Sequence, residues 1–420
     1  MERVIESSTV ELDRLRYRRL FPWIHLTRAF RIALDFRKLL LGGIALIVLS
    51  LGQQAILHTP IGPPGDAPRL ISTGLTSSLA EFGRVDPRIR VADWTILVSP
   101  LQSIWEPATL LLRSNLSWSD AVLASALLIW AIVVWSLFAT MITRMAAVQF
   151  ARDEKISIRQ AARFAIARYL QVFSSPLLPI GFLFGFWLLL FCGGLVGRIP
   201  AVGPVLVGVF WGIALVCGLA MTLLLIGLAV GWPLMIATVS TQGTDGFDGF
   251  SRSFDYIYSR PIHFAWYVLI SVGLGLLGLT VVIIGATLVV YLASWPIAQG
   301  MGNPEWLPWK SIHALFFSDQ FPGVNHPDYP ALIAITVWLR AFGLLVAGFV
   351  PSYFWTCSTI MFFLLRHSTD ANELTEVWMP SDDEDDANLV RLAGVAAADH
   401  PVVERPVHPE TTRGSDESPE

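Results

Sequence analysis

Residue types that carry chemistry are present in this chain, but their spacing matches no catalytic or metal-binding motif. The eight histidines show no HxxxH or HExxH spacing, and the three cysteines form no CxxC pair. The Gly-x-Ser-x-Gly sequence of hydrolases and a phosphate-binding loop are also absent. We therefore predict no catalytic residue, no cofactor and no metal, and we expect that the protein is not an enzyme.

The nearest approach to a set of metal ligands lies in one long loop. His313 and His326 occur there, with Asp319 and Asp328 close in sequence. Their separations match no metal-binding pattern. We interpret the four as ordinary solvated loop residues.

Three arginines are candidates for binding a lipid or an anion. Arg252 and Arg260 lie just before a long apolar segment, where basic groups bind lipid phosphates; plain anchoring by snorkelling is the competing interpretation. Arg340 lies within an apolar segment, where a charge costs roughly 2.5–3.5 kcal/mol on insertion scales. It either reaches the outer interface, which we favour, or faces a polar cavity and binds an anion through its planar group.

Six long apolar segments must position these arginines. The chain is 54% hydrophobic and 15% charged, whereas soluble domains are about 25% charged. A transmembrane helix needs about 20 apolar residues, and none of the six segments contains Asp or Glu. We predict an all-α integral membrane protein with six transmembrane helices. The segments are Leu39–Leu57, Ala121–Ile142, Leu177–Val196, Val205–Val230, Phe264–Ala293 and Ala331–Leu365.

The distribution of basic residues predicts the orientation. With six spans, 21 Lys and Arg residues fall on the side of the two termini and seven on the other side. Because the basic side of a multi-pass protein is the cytoplasmic one, we expect both termini in the cytoplasm of a bacterial inner membrane.

The stretch "TDGFDGFSRSFDYIYSRP" predicts an amphipathic helix before the fifth span. Phe247, Phe250 and Phe254 recur at helical spacing and form an apolar stripe. Asp245 is a favourable N-cap residue. We predict that Asp245–Ser259 is a helix in the cytoplasmic interface, with its apolar face in the headgroups.

The same arrangement recurs before the other odd-numbered spans. His25–Gly43 and Ser157–Pro179 each combine an apolar stripe with several arginines. Internal repeats are common in membrane proteins. We therefore predict cytoplasmic-side interfacial helices in three repeated units, each an interfacial helix followed by a hairpin of two spans.

Glycine and proline positions make predictions about helix packing. GxxxG pairs let helix backbones approach closely, so four such pairs predict tight packing between the third and fourth spans, with a pore lining as the alternative. Pro233 is expected at the inner end of the fourth span, and Pro351 is expected to kink the sixth. The pairs are Gly181/Gly185, Gly193/Gly197, Gly208/Gly212 and Gly227/Gly231.

The segments outside the spans complete the organisation. Residues 1–38 form a basic cytoplasmic segment with an interfacial helix, and residues 39–365 form the transmembrane domain. Residues 366–420 carry 14 acidic and four basic residues, which predicts a disordered cytoplasmic tail. Trp94–Leu112 is too polar and too rich in proline for a seventh span, and its location along the outer surface is left open.

Three motifs carry a resemblance to known proteins. "LTRAFRIALDFRKLLLGG", "TDGFDGFSRSFDYIYSRP" and "LLRHSTDANELTEVWMP" together resemble an uncharacterised family of bacterial multi-pass membrane proteins, over most of residues 20–380. The rhythm of amphipathic helix and span is more weakly similar to the membrane domain of glycerophosphodiester phosphodiesterases. The resemblance implies a location but no activity. Phosphodiesterase chemistry is not expected, because these residues include no such domain.

Two classes of function follow. The first, which we favour, is a non-enzymatic membrane scaffold or accessory subunit, and the second is a transporter or lipid-handling permease. Proton- or sodium-coupled transport usually needs intramembrane carboxylates, and the six spans have none. We expect membrane lipids and other membrane proteins as partners, and no nucleic acid.

Overall fold

The computed structural model describes residues 22–58, 97–113, 116–302 and 330–379, and this part of the chain contains helices and no strand. A short 3-10 helix, Pro22–Thr27, comes first. The α-helices are α1 (Arg28–Ala33), α2 (Phe36–Leu57), α3 (Ser99–Leu111), α4 (Trp118–Arg152), α5 (Ile158–Ala167), α6 (Tyr169–Val196), α7 (Gly203–Val209), α8 (Trp211–Gln242), α9 (Gly246–Ser259), α10 (Pro261–Gly300), α11 (Pro330–Ala347) and α12 (Phe349–Asp370).

Six helices are long and apolar enough to cross a membrane, which confirms the predicted fold class. They are α2, α4, α6, α8, α10 and the α11–α12 pair from Val337 to Asp370. Several extend beyond the predicted apolar segments at one end of the bundle, where α2, α6 and α10 begin and α4, α8 and α12 end. We call this the basic end, and the opposite end the far end.

Helices α4 and α12 form the centre of the bundle. Almost every residue of α12 from Phe349 to Arg366 is buried, although the helix contains many hydroxyl groups. Ser358 and Thr359 donate to carbonyl oxygens one turn earlier, at 2.8 and 2.7 Å. Backbone acceptors therefore satisfy these hydroxyls without a polar partner helix.

Three tryptophans meet where α4, α8 and α12 converge. The ring of Trp355 lies 5.5 Å from that of Trp135 and 5.1 Å from that of Trp232. All three side chains are buried. Aromatic contacts of this kind stabilise helix packing beyond the area that they bury.

The predicted helix before the fifth span is confirmed as α9. The Asp245 carboxylate accepts a hydrogen bond from the backbone N–H of Asp248 at 2.8 Å, as an N-cap does. Arg252 pairs with Asp248 at 3.6 Å one turn away. Pro261 is the first residue of α10, where its missing N–H costs nothing.

The face of α9 that packs against the protein carries small residues. Gly246, Gly249 and Ser253 face the protein and let α9 pack against the start of α6 and the end of α8. Phe247, from the predicted apolar stripe, is 60% exposed. Small residues thus allow the closest approach to α6 and α8, and Phe254 and Ile257 add contacts with α8.

Helix α3 lies inside the bundle and does not cross it. Its Ser103 hydroxyl accepts a hydrogen bond from the Trp135 indole at 2.9 Å, about 25 Å along α4 from its far end. Leu110 instead packs against Leu127, close to that far end. Leu97, just before α3, would touch a side chain at Gly275, which lies about 21 Å along α10 from its basic end. The helix therefore begins at mid-depth and ends at the far end, as a re-entrant helix does.

Helices α6 and α8 pack against each other as predicted, but most of the predicted glycine pairs take no part in the contact; Gly197 is the exception, where an added side chain would lie 3.2 Å from Val207 of α7. A side chain added at Gly181, Gly185, Gly208 or Gly212 would meet nothing within 4 Å, and the same holds for Gly193. The fourth pair, Gly227 and Gly231 of α8, packs closely, but against α9. Gly227 faces Phe254, and Gly231 faces Ile257.

One of the two proline predictions is corrected. Pro233 lies inside α8, which continues to Gln242. The last span breaks at Gly348, between α11 and α12, and Pro351 is the third residue of α12. Pro351 has no N–H to donate to the carbonyl oxygen of Ala347, one turn earlier, so the break just before Pro351 agrees with the predicted kink.

The helical unit continues past the predicted start of the acidic tail. Helix α12 ends at Asp370, and the following residues fold back on it. Arg366 donates to the carbonyl oxygens of Glu373 and Glu376 at 3.1 and 2.9 Å. This compact unit ends at Val377, so residues 366–377 belong to it.

Candidate functional site

A cavity of about 280 Å³ lies between α3, α8, α10 and α12. Leu101 of α3, Leu234 of α8 and Val268 of α10 line three of its sides. Phe354 and Met361 of α12 line the fourth. The walls are almost entirely hydrocarbon, which suits an apolar ligand.

The few polar groups in the cavity wall already have partners. The Tyr353 hydroxyl donates to the carbonyl oxygen of Ser271 at 2.7 Å. The Ser271 hydroxyl donates to Tyr267 O at 2.6 Å, and the Cys357 thiol donates to the Tyr353 oxygen at 3.8 Å. The cavity therefore presents a smooth apolar surface and no activated nucleophile.

Arg260 does not line the cavity, but it lies just before the segment of α10 that does. It is the N-cap residue of α10 and precedes Phe264, a lining residue, by one helical turn. Its side chain is exposed and makes no ion pair or hydrogen bond with any described residue. Of the three predicted arginines, Arg260 is the one beside the cavity.

The other two predicted arginines lie elsewhere. Arg252 is engaged on α9, where it pairs with Asp248 and donates to the Gln242 amide oxygen at 3.2 Å. Arg340 is exposed on α11. Leu344, one turn closer to the basic end, packs against Gly43 of α2, so Arg340 lies about halfway along α2 and does not line the cavity.

Three buried cations at the basic end were not predicted from the sequence. Lys38 is fully buried and donates to Ile32 O at 2.9 Å and to the Gln149 amide oxygen at 2.7 Å. Arg144 donates to Ser240 O at 3.1 Å, and its guanidinium lies 4.4 Å from the Phe164 ring centre. Arg366 is the third. In the sequence, all three look like the basic residues that commonly flank transmembrane segments.

Two acidic groups at the basic end tie the short helices to the bundle. Asp35 caps α2, and although burial alone would raise its pKa, hydrogen bonds from Arg37 outweigh burial and lower it. The Tyr256 hydroxyl of α9 donates to the Asp370 carboxylate of α12 at 2.6 Å. Burial and then this hydrogen bond raise the pKa of Tyr256 above its usual range.

Helix α3 also brings a carboxyl group into the bundle. Glu106 lies on the face of α3 that carries Ser103 and Leu110, and one of its carboxylate oxygens is buried with no hydrogen-bond partner among the described residues. The six predicted apolar segments lack acidic side chains, but the bundle does not. The argument against carboxylate-coupled transport therefore does not extend to α3.

No cluster of metal-binding side chains occurs among the residues that the structure describes. His313, His326, Asp319 and Asp328 lie outside those residues. The free cysteines Cys192, Cys217 and Cys357 are in three different helices.

Comparisons with other proteins add no identity. No protein-family model, curated protein or solved structure matches the chain. The six helices show a multi-pass membrane protein. The resemblance to an uncharacterised membrane-protein family accordingly has no support beyond the quoted motifs, and the weaker one to the membrane domain of glycerophosphodiester phosphodiesterases has none beyond the rhythm of helices and spans.

Proposed function

We propose that this protein is a non-enzymatic scaffold or accessory subunit of a bacterial inner membrane, and that α6 to α8 bind a transmembrane helix of another membrane protein. The observation that carries the proposal is the exposure of this hairpin. Only 6% of the apolar stretch of α6 and 11% of that of α8 is buried, against 39% for α2 and for α4.

The exposed surface of the hairpin has the residue types of a helix-docking site. Four glycines of the hairpin have open space in front of them. They are Gly181 and Gly185 on α6, Gly208 on α7 and Gly212 at the start of α8. GxxxG pairs favour close helix contact through dispersion and weak hydrogen bonds. Because α6 and α8 do not use these pairs for each other, they are free for a partner helix.

The non-enzymatic part of the proposal is supported by the lack of catalytic motifs in the sequence. The hydroxyl and thiol groups of the cavity are bonded to neighbouring protein atoms. A nucleophile would need a base within hydrogen-bond reach, and the cavity wall supplies none.

The test is co-purification of the tagged protein from its native membranes in a mild detergent. Replacing Gly181 and Gly185 with Leu should remove a membrane protein that accompanies the wild type at a fixed ratio. Replacing Gly273 and Gly285 of α10 with Leu is the matched control, because these glycines also face open space but form no GxxxG pair. A photocrosslinker at Leu188 should form an adduct with the same partner.

Two results would contradict this proposal. An unchanged set of co-purifying proteins in the Gly181/Gly185 variant would remove the hairpin as a docking site. An adduct of twice the chain mass would show that the hairpin binds a second copy of the protein instead.

A lipid-handling permease is the second candidate, and the apolar cavity favours it. Such a protein would accelerate the movement of a fluorescent phospholipid between the leaflets of reconstituted vesicles. A rate equal to that of protein-free vesicles would leave the scaffold proposal ahead.

A further inference from the structure

The cavity between α3, α8, α10 and α12 is bounded by hydrocarbon along its length. Phe264, Val268 and Val272 follow one another along α10, over about 12 Å at 1.5 Å per residue. The volume, about 280 Å³, is near the lower end of the usual range of roughly 300–1,000 Å³ for small-molecule sites. Such a space has room for part of one acyl chain and not for a whole phospholipid.

The cavity opens on the side that faces lipid. Helices α8 and α10 both pack on α12 but hardly contact each other. Lining residues on these two helices, such as Val230 and Val268, are partly exposed, whereas Tyr353 and Cys357 of α12 are buried. The opening between α8 and α10 therefore leads to the bilayer, where hydrocarbon chains are the surrounding solvent.

An empty apolar cavity is unfavourable, because the atoms that line it lose their dispersion partners. Water would not fill this one, since the polar groups in its wall are already hydrogen-bonded and a buried water needs two to four polar partners. A hydrocarbon chain restores the lost contacts without any need for hydrogen bonds.

Arg260 supplies the complementary polar feature. It lies one turn beyond Phe264 at the basic end, is exposed, and has no partner among the described side chains. An exposed guanidinium at the depth of the headgroups binds phosphate oxygens through paired donors. Arg260 thus provides a cationic group at the start of the helix whose next turns line the cavity.

We propose that the cavity binds one acyl chain of an anionic phospholipid, which enters between α8 and α10 and places its phosphate at Arg260. The lipid belongs to the leaflet at the basic end. This site is separate from partner docking on α6 to α8, so either proposal can fail without the other.

The test uses the full chain in nanodiscs that contain phosphatidylglycerol with a photoreactive diazirine in one acyl chain. After irradiation, mass spectrometry should find adducts on the lining segments of α10 and α12. Val268→Trp fills the cavity and should lower this labelling at least tenfold. Val281→Trp, on the exposed face of the same helix, is the control and should label as the wild type does.

A second variant protects the test against misfolding. If Val268→Trp is not monodisperse in gel filtration, Val272→Phe occupies the same cavity with a smaller change in volume. Labelling that persists at the wild-type level in a folded cavity variant would overturn the proposal.

The headgroup half of the proposal is tested by competition. Unlabelled phosphatidylglycerol should suppress adduct formation in the wild type more strongly than phosphatidylcholine does, and Arg260→Gln should abolish this difference. Arg163→Gln is the control, because Arg163 is another exposed arginine, on α5. Equal competition by both lipids in the wild type, or an unchanged preference in Arg260→Gln, would overturn the assignment of an anionic lipid.

Discussion

Buried cations at the basic end show how single residues anchor the helices to one another. Lys38 joins α2 to the end of α4, and Arg144 joins α4 to the end of α8. Their acceptors are largely carbonyl and amide oxygens. Some of the basic residues that predict the orientation therefore hold helices together. The excess on the side of the two termini, 21 against seven, remains large without them.

Two arginines of the last span should respond in opposite ways to the loss of their charge. Arg366→Gln leaves the carbonyls of Glu373 and Glu376 without a donor, at a cost of roughly 1–3 kcal/mol for each acceptor that stays buried. Arg340→Gln should leave stability unchanged or raise it, because removing a charge from a lipid-facing position relieves its insertion cost. Thermal unfolding in detergent measures both, and a lower Tm for Arg340→Gln would indicate a partner for Arg340.

Glu106 should tolerate loss of its charge. Its buried oxygen has no hydrogen-bond partner among the described residues, and an ionised carboxylate in such a place is costly. We expect Glu106→Gln to unfold at or above the wild-type temperature, with exposed Glu154→Gln as a neutral control. A clear loss of stability in Glu106→Gln would show that the carboxylate is ionised and paired in the folded protein.

At the scale of single elements, helix α9 shows what local sequence can predict. Its N-cap, its ion pair and the proline that follows depend on residues within one or two turns, so they could be predicted from Asp245, Asp248 and Pro261. The buried face could not, because the neighbours that select Gly246 and Gly249 come from α6 and α8. An aromatic stripe is a stronger pattern than a row of small residues, but close packing uses the small ones.

The small face of α9 should be intolerant of bulk. A side chain at Gly246 would lie 2.6 Å from the carbonyl oxygen of Gln171, which is backbone and cannot move aside. Gly246→Leu should destabilise the protein by about 1–3 kcal/mol, as overpacking does. Gly273→Leu, with nothing within 4 Å, should leave Tm unchanged. An equal loss of Tm in both variants would show that the close approach of α9 to α6 is not the cause.

Helix α3 could not be recognised by hydropathy. Its 13 residues include Ser103, Glu106 and two prolines, so it lacks the length and apolarity of a span. What stabilises α3 is its long-range contact with α4, above all the bond between Ser103 and Trp135. The cavity beside α3 was unpredictable for the same reason, since its walls come from four separate segments.

At the scale of the whole molecule, burial is concentrated at the basic end. The last residues of α4, α8 and α12 are almost continuously buried, and α1, α5 and α9 pack around them. Further along, α6 and the first half of α8 expose most of their surface. A buried end and an exposed hairpin are the two features on which the proposed scaffold role is based.

The orientation and the path of α3 can be tested together with alkaline phosphatase fusions, which are active only outside the cytoplasm. The basic asymmetry, 21 against seven, predicts activity after His58 and none after Val377. Because a re-entrant helix returns to the side that it left, a fusion after Arg113 should be as active as the one after His58. Opposite results at His58 and Arg113 would show that residues 59–113 cross the membrane, and activity after Val377 would reverse the orientation.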